Sequence, residues 1–189
     1  LITGITLLVG FISITVGSSV LQYASFVTMI VAIGAWEWAR LAALEGAARV
    51  AYVVVFLVVL VGLGVRFGLF KAVPQMDVNL LWCVVAAAAL AWLTMFLFVL
   101  SYPKNEDKWN TKVRIGFIGF LTLGSTWAGI IFLKTILETG ELVLMLMISV
   151  AAVDVGGFFV GTWFGKRSLA PHLSPKKSWE GVWGGLVLN

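Results

Sequence analysis

The sequence predicts an all-α protein: a polytopic transmembrane helical bundle with about six spans and the start of a seventh. Three observations carry that prediction. Hydrophobic residues fill 61% of the 189 positions, charged residues only 12%, and the mean hydropathy is +1.04. A soluble domain has apolar usage nearer half and charge nearer a quarter, so 13 basic and 9 acidic side chains cannot coat a water-soluble globule. The apolar residues also come in stretches of about 20, the length a helix needs to cross roughly 30 Å of hydrocarbon. In that medium an open strand leaves peptide groups without partners, so the stretches are helices.

Polar punctuation places the spans at residues 1–17, 20–38, 50–70, 78–100, 113–137 and 142–164, with a seventh beginning near Trp179 and running to the last residue, Asn189. Orientation follows from the lysines and arginines between them. The segments after spans two, four and six hold Arg40 and Arg49; Lys104, Lys108, Lys112 and Arg114; and Lys166, Arg167, Lys176 and Lys177. Those after spans one, three and five hold only Arg66, Lys71 and Lys134. The rule that basic loops stay inside puts the first group in the cytoplasm. Trp36, Trp38, Trp109, Trp163 and Trp179 fall near the same ends and read as interfacial anchors.

Composition excludes several functions. A net charge of +4 and a pI near 9.4 reflect basic loops beside anionic lipid rather than a nucleic-acid surface. Cys83 is the sole cysteine, which rules out an intramolecular disulfide and a thiolate metal cage; His172 is the sole histidine and is given no function. No internal repeat is visible, so residues 1–189 read as a single transmembrane domain with a cytoplasmic phosphate-binding loop at about 165–181. A start at Leu1 without a basic n-region and an end within an apolar run suggest a fragment of a longer membrane protein, truncated at both ends, rather than a secreted precursor.

Charges within apolar spans are costly and therefore informative. Glu37 lies near the end of span two, where an interfacial pair with Arg40 three residues on accounts for it. Asp154 lies inside span six, about ten residues and so roughly 15 Å of helix from the basic cluster at Lys166. Gly157, Gly161 and Gly165 recur every fourth residue on the face that carries Asp154, which predicts a close helix neighbour there. A buried acid on such a face is an ion, substrate or catalytic site by default.

After it, Ser174 followed by Pro175 predicts an N-cap and first helical residue that open span seven. Lys176, Lys177 and the Ser178 hydroxyl at a positive helix end suggest a phosphate cradle. A capped helix whose lysines snorkel to headgroups explains the same residues.

These residues resemble the phosphatidate cytidylyltransferase, or CDP-diacylglycerol synthase, family of bacterial inner-membrane enzymes. The resemblance is carried by Val153-Asp154-Val155-Gly156-Gly157-Phe158, Gly161, Phe164-Gly165-Lys166, Leu169-Ala170-Pro171, the run from Ser174 to Gly181, and Gly184-Gly185. The Ala-Trp-Glu-Trp element at 35–38 is similar to the family's second span. Val155 stands where the family usually has serine, and Phe158 where it has tyrosine.

The resemblance implies a multi-pass inner-membrane transferase with its site facing the cytoplasm. It would move CMP from CTP to phosphatidic acid with Mg2+, among membrane lipids and as a possible homodimer. It also implies roles. Asp154 and Lys177 are catalytic, with Asp154 holding the metal, and Lys166, Ser174, Lys176, Ser178 and Glu180 bind substrate. The family's Lys-Arg-x-x-x-Lys-Asp and Gly-His-Gly-Gly elements are not among these residues, so the 189-residue piece is expected to be inactive alone. Three other readings share the helices and the basic loop. They are a CTP-dependent lipid kinase or archaeal-type synthase, a transporter or channel with Asp154 as its ion or proton site, and a scaffold that binds anionic headgroups.

Overall fold

The computed structural model describes residues 2–71, 77–101, 111–171 and 174–189; Lys104, Lys108, Trp109 and His172 lie outside them. The described residues form α1 (Ile2–Gly17), α2 (Val20–Leu41), α3 (Gly46–Arg66), α4 (Val78–Ser101), α5 (Lys112–Ile136), α6 (Glu141–Phe164), β1 (Ser168–Ala170), β2 (Ser174–Ser178) and α7 (Trp179–Leu188). From α2 to α6 these helices are long and apolar enough to cross a membrane, so the chain is an all-α polytopic membrane protein. α1 is a shorter apolar helix of 16 described residues.

Local signals explain where the helices begin. Ser19 and Gln22 form a reciprocal capping box at α2: the Ser19 N–H donates to Gln22 Oε1 at 3.0 Å, and the Gln22 N–H donates to Ser19 Oγ at 3.4 Å. Asp77 Oδ1 accepts from the N–H groups of Asn79 and Leu80 ahead of α4, and Thr111 caps α5 through the Arg114 N–H. Arg40 and Glu37 make the expected i,i+3 ion pair at 2.9 Å, exposed on both sides.

Contacts divide the chain into two compact units, Leu1–Trp92 with Trp109–Val143, and Leu93–Lys108 with Leu144–Asn189. In the first unit α2 packs against both α3 and α5. Its core joins Tyr23, Val27, Val31 and Ala35 of α2 to Phe56 and Leu60 of α3 and to Trp127, Ala128 and Ile131 of α5.

Three cross-helix hydrogen bonds, each 2.8 Å long, run through this core: Trp38 Nε1–H to the Ile115 carbonyl, the Tyr52 hydroxyl to the Gly116 carbonyl, and Trp127 Nε1–H to Thr28 Oγ1. Trp38 therefore does more than anchor at the interface. Its indole lies so close to Gly119 that a Cβ there would overlap the ring. A tryptophan with an apolar body and one N–H finds both an apolar slot and an acceptor on α5.

Lys134 is fully buried, although its place between spans reads as a loop cation in the sequence. Its ammonium donates to the Thr15 carbonyl at 2.5 Å and to the Glu138 carbonyl, and lies 5.6 Å from the centre of the Tyr23 ring. Thr15 is in the last turn of α1, where carbonyls have no intrahelical donor, so the lysine supplies what the helix end lacks. Gly140 completes the contact. It has φ +80°, and a Cβ there would stand 2.6 Å from the Thr15 oxygen.

Replacing Lys134 with Met keeps the length and strands both carbonyls. The full-length protein in detergent is expected to lose about 1–3 kcal/mol of stability, read as a lower midpoint in thermal unfolding. An unchanged midpoint would mean that those carbonyls find other donors.

Candidate functional site

The sequence-predicted site falls in the second unit, at the junction of α6, the hairpin and α7. α6 and α7 approach through glycines on both sides. A Cβ at Gly156 would stand 2.6 Å from the Gly184 carbonyl oxygen, one at Gly181 would stand 2.9 Å from the Gly157 oxygen, and one at Gly185 would stand 2.8 Å from the Val153 oxygen. A Cβ at Gly184 would overlap Val160. The glycine stripe predicted a close neighbour, and α7 with its own Gly181, Gly184 and Gly185 is that neighbour.

Asp154 lies beside this contact rather than in it. The packed line runs through Val153, Gly156, Gly157, Val160 and Gly161, and Asp154 is exposed on its flank. The expectation that the carboxylate faces the packed side is corrected accordingly: the contact is made by glycines and the apolar Val153 and Val160, and a carboxylate enclosed there would have neither water nor a donor. Asp154 also lies about ten residues before the end of α6, roughly 15 Å along the axis, and so stands apart from the hairpin.

The segment 174–178 differs from its expectation as well. Ser174–Ser178 is a strand, antiparallel to β1 with Ser168 opposite Ser178 and Ala170 opposite Ser174. The N-cap of α7 is Ser178, in extended backbone, with its Oγ accepting from the Gly181 N–H at 3.2 Å. Two serines competed for the cap. Pairing with β1 keeps the residues after Ser174 extended, so no helix starts there, whereas Ser178 has a free helical N–H three residues ahead. Pro175 sits in a two-stranded hairpin, where a missing N–H is tolerated at an edge.

The hairpin is joined to α7 by three hydrogen bonds. Glu180 Oε2 accepts from the backbone N–H of Lys166 at 3.0 Å and of Arg167 at 3.2 Å, and the Trp179 N–H donates to the Arg167 carbonyl at 2.9 Å. Trp179 also meets Phe96 of α4 edge to face, with ring centres 6.4 Å apart.

The side chains of Lys166, Arg167, Lys176 and Lys177 are exposed, and the one ion pair among the described residues is elsewhere, between Arg40 and Glu37. Lys166, Lys176 and Lys177 are thus brought into one small hairpin with Ser174, Ser178 and Glu180. Arg167 joins them, although the sequence reading assigned it no role; its place beside Lys166 was the available signal. Because Ser178 takes the Gly181 N–H, an anion here would be held by side-chain cations more than by a bare helix end.

The Glu180 carboxyl, in the first turn of α7 and outside the five long helices, is held below its ordinary value of 4.5. The main cause is the Lys166 N–H, followed by its own N–H and that of Arg167, with the Arg167 charge adding to them. A lowered folded value means that the contribution of the contact is complete above the ordinary range and is lost as pH falls through the lower folded value. In an amide chemical-shift titration of the full-length protein, Lys166 and Arg167 are expected to move together at a pH below 4.5. Titration at or above that pH would contradict the contact.

Among the described residues, no three His, Cys, Asp or Glu side chains come together as a metal cage. Asp154 offers one exposed carboxylate, and Glu180 is committed to backbone donors. Beside the glycine contact runs an apolar groove of about 530 Å³, lined by Phe159, Val160 and Trp163 of α6 and Gly184, Val187 and Leu188 of α7.

Long apolar helices followed by an exposed cationic hairpin define a helical membrane protein. The chain belongs to the cytidylyltransferase family, whose sequence profile matches residues 1–189. It is 39% identical over 166 residues to a phosphatidate cytidylyltransferase of Pseudomonas aeruginosa, covering 87% of this chain and 57% of that one. It is 34% identical over 163 residues to the Haemophilus influenzae protein of the same name, covering 82% and 57%. A Mycobacterium leprae phosphatidate cytidylyltransferase is 60% identical over 45 residues, which is 24% of this chain and 14% of that one. The chain thus spans 57% of the length of the first two relatives. No solved structure matches it.

Proposed function

We propose that the full-length protein transfers CMP from CTP to phosphatidic acid, giving CDP-diacylglycerol and pyrophosphate. The observation that carries this reading is the hairpin: Lys166, Arg167, Lys176 and Lys177 exposed within one clasped turn at the end of a membrane helix. Both substrates are phosphate anions, one from water and one from lipid, and a cationic turn at that boundary suits both. The family membership supports the same chemistry.

In the reaction a phosphate oxygen of the lipid forms a bond to the α-phosphorus of CTP, and the bond from that phosphorus to the bridging oxygen breaks. The electron pair leaves with pyrophosphate. Such transfers need positioning and positive charge more than covalent help from the protein. In this reading Lys177 acts at the transferring phosphorus, and Lys166, Lys176 and the Ser174 hydroxyl hold flanking phosphate oxygens. Ser178 sets the start of α7 through its capping bond.

In this reading Asp154 would supply a carboxylate for Mg2+, an ion commonly bound by one or two carboxylates together with substrate phosphates and water. When bound, that ion would offset charge on the triphosphate. The groove beside α7 is apolar enough for hydrocarbon. In this reading the protein lies in a bacterial inner membrane, and the excess of basic residues puts the hairpin in the cytoplasm, where CTP is available.

Mg2+-dependent transfer of labelled CMP by the full-length parent tests this. The parent is expected to transfer, Asp154→Asn to lose about a hundredfold or more, and Lys177→Ala about as much. A folded parent without transfer would remove the reading.

A further inference from the structure

Glu180 is the one acid in the cationic turn. As a direct ligand of substrate phosphate it would be repelled, and it would cancel part of the charge that the lysines supply. The geometry gives it other work. A single oxygen, Oε2, accepts the backbone N–H groups of two successive residues, Lys166 and Arg167, across 14 and 13 positions of sequence. The Trp179 N–H returns a bond to the Arg167 carbonyl, so residues 166–167 and 179–180 are tied in both directions.

The location matters as much as the bonds. Strand pairing begins at once beyond the tie, with Ser168 opposite Ser178, and β1 is only three residues long. A two-stranded hairpin is marginal by itself and frays from its open end. Here the open end is also where α6 finishes and α7 begins. The Ser178 hydroxyl is next to the same place, 2.7 Å from where a Cβ at Gly165 would stand. All four hairpin cations are therefore attached to backbone whose register depends on this closure.

We infer that Glu180 is a positioning residue. Through the amides of Lys166 and Arg167 it clamps the open end of the hairpin to α7 and sets the spacing of Lys166 and Arg167 from Lys176 and Lys177, without touching substrate. This rests on the proposed anion site for its functional consequence, and on the hydrogen bonds alone for the clamp.

Two substitutions in the full-length protein separate the roles. Glu180→Ala removes the acceptor, whereas Glu180→Gln removes the charge and keeps a carbonyl oxygen that can accept both N–H groups. Hydrogen exchange of the peptide covering 165–170 reads the clamp directly. Glu180→Ala is expected to speed exchange there about tenfold and to raise the KM for CTP by a similar factor, with Glu180→Gln within about threefold of the parent on both.

Unchanged exchange in Glu180→Ala would overturn the inference. So would a Glu180→Gln protein that loses transfer as completely as Glu180→Ala while its exchange stays at the parent level, because the carboxylate would then act on substrate or metal itself. If the parent shows no CMP transfer, the proposed function fails, and exchange alone still decides the clamp.

Discussion

Surrounded by lipid, a helix gains little by turning an apolar face from hydrocarbon to another helix, because the two surroundings are equally apolar. What remains to specify an arrangement is close backbone contact and the need of each polar atom for a partner where water is absent. The first unit depends on that need. Its helices are joined where an indole N–H, a phenol hydroxyl or an ammonium has only a neighbouring helix to turn to. Lys134 shows the constraint at its strongest. A fully buried cation is tolerated because two carbonyls near the ends of α1 and α5, short of donors by their position, meet it there.

The second unit meets the same constraint with glycine. With no side chain between them, α6 and α7 come close enough that carbonyls of one stand against Cα groups of the other. That contact holds α7 in place, and α7 in turn presents Glu180 and Trp179 to the start of the hairpin. The cations of residues 166–177 are thus held by backbone bonds and by a glycine contact rather than by ion pairs. This leaves their charges unspent for an anion, where pairing with an acid would have satisfied them within the protein.

Much of this was legible in the sequence, because it follows from one-dimensional patterns. Span lengths follow from apolar runs, the Glu37–Arg40 pair from spacing, and the close partner of α6 from glycines at every fourth position. The misreadings occur where two local signals compete or where the deciding group is far away in sequence. Ser174-Pro175 and Ser178 are both good helix openings, and strand pairing with β1 decided for the second. Trp38 and Lys134 look like interfacial residues because their partners, Ile115 and Thr15, are 77 and 119 positions away. Asp154 shares a helical face with the glycines by periodicity, yet a contact as close as theirs is only a few residues wide and leaves it on the flank.

That flank position changes what Asp154 can be. An acid enclosed between α6 and α7 would have needed a proton or a buried partner to be tolerated. An exposed one, well inside an apolar span and roughly 15 Å from the hairpin, needs water, a cation or another polar segment beside it. The hairpin asks for the opposite charge at the membrane surface. Under the proposed function, a phosphate-bearing substrate with its own cation would answer both, with negative oxygens near Lys166, Lys176 and Lys177 and a divalent ion near Asp154. The separation of acid from base along α6 therefore asks of any single ligand that it reach both, or of the site that it hold two groups, one at each.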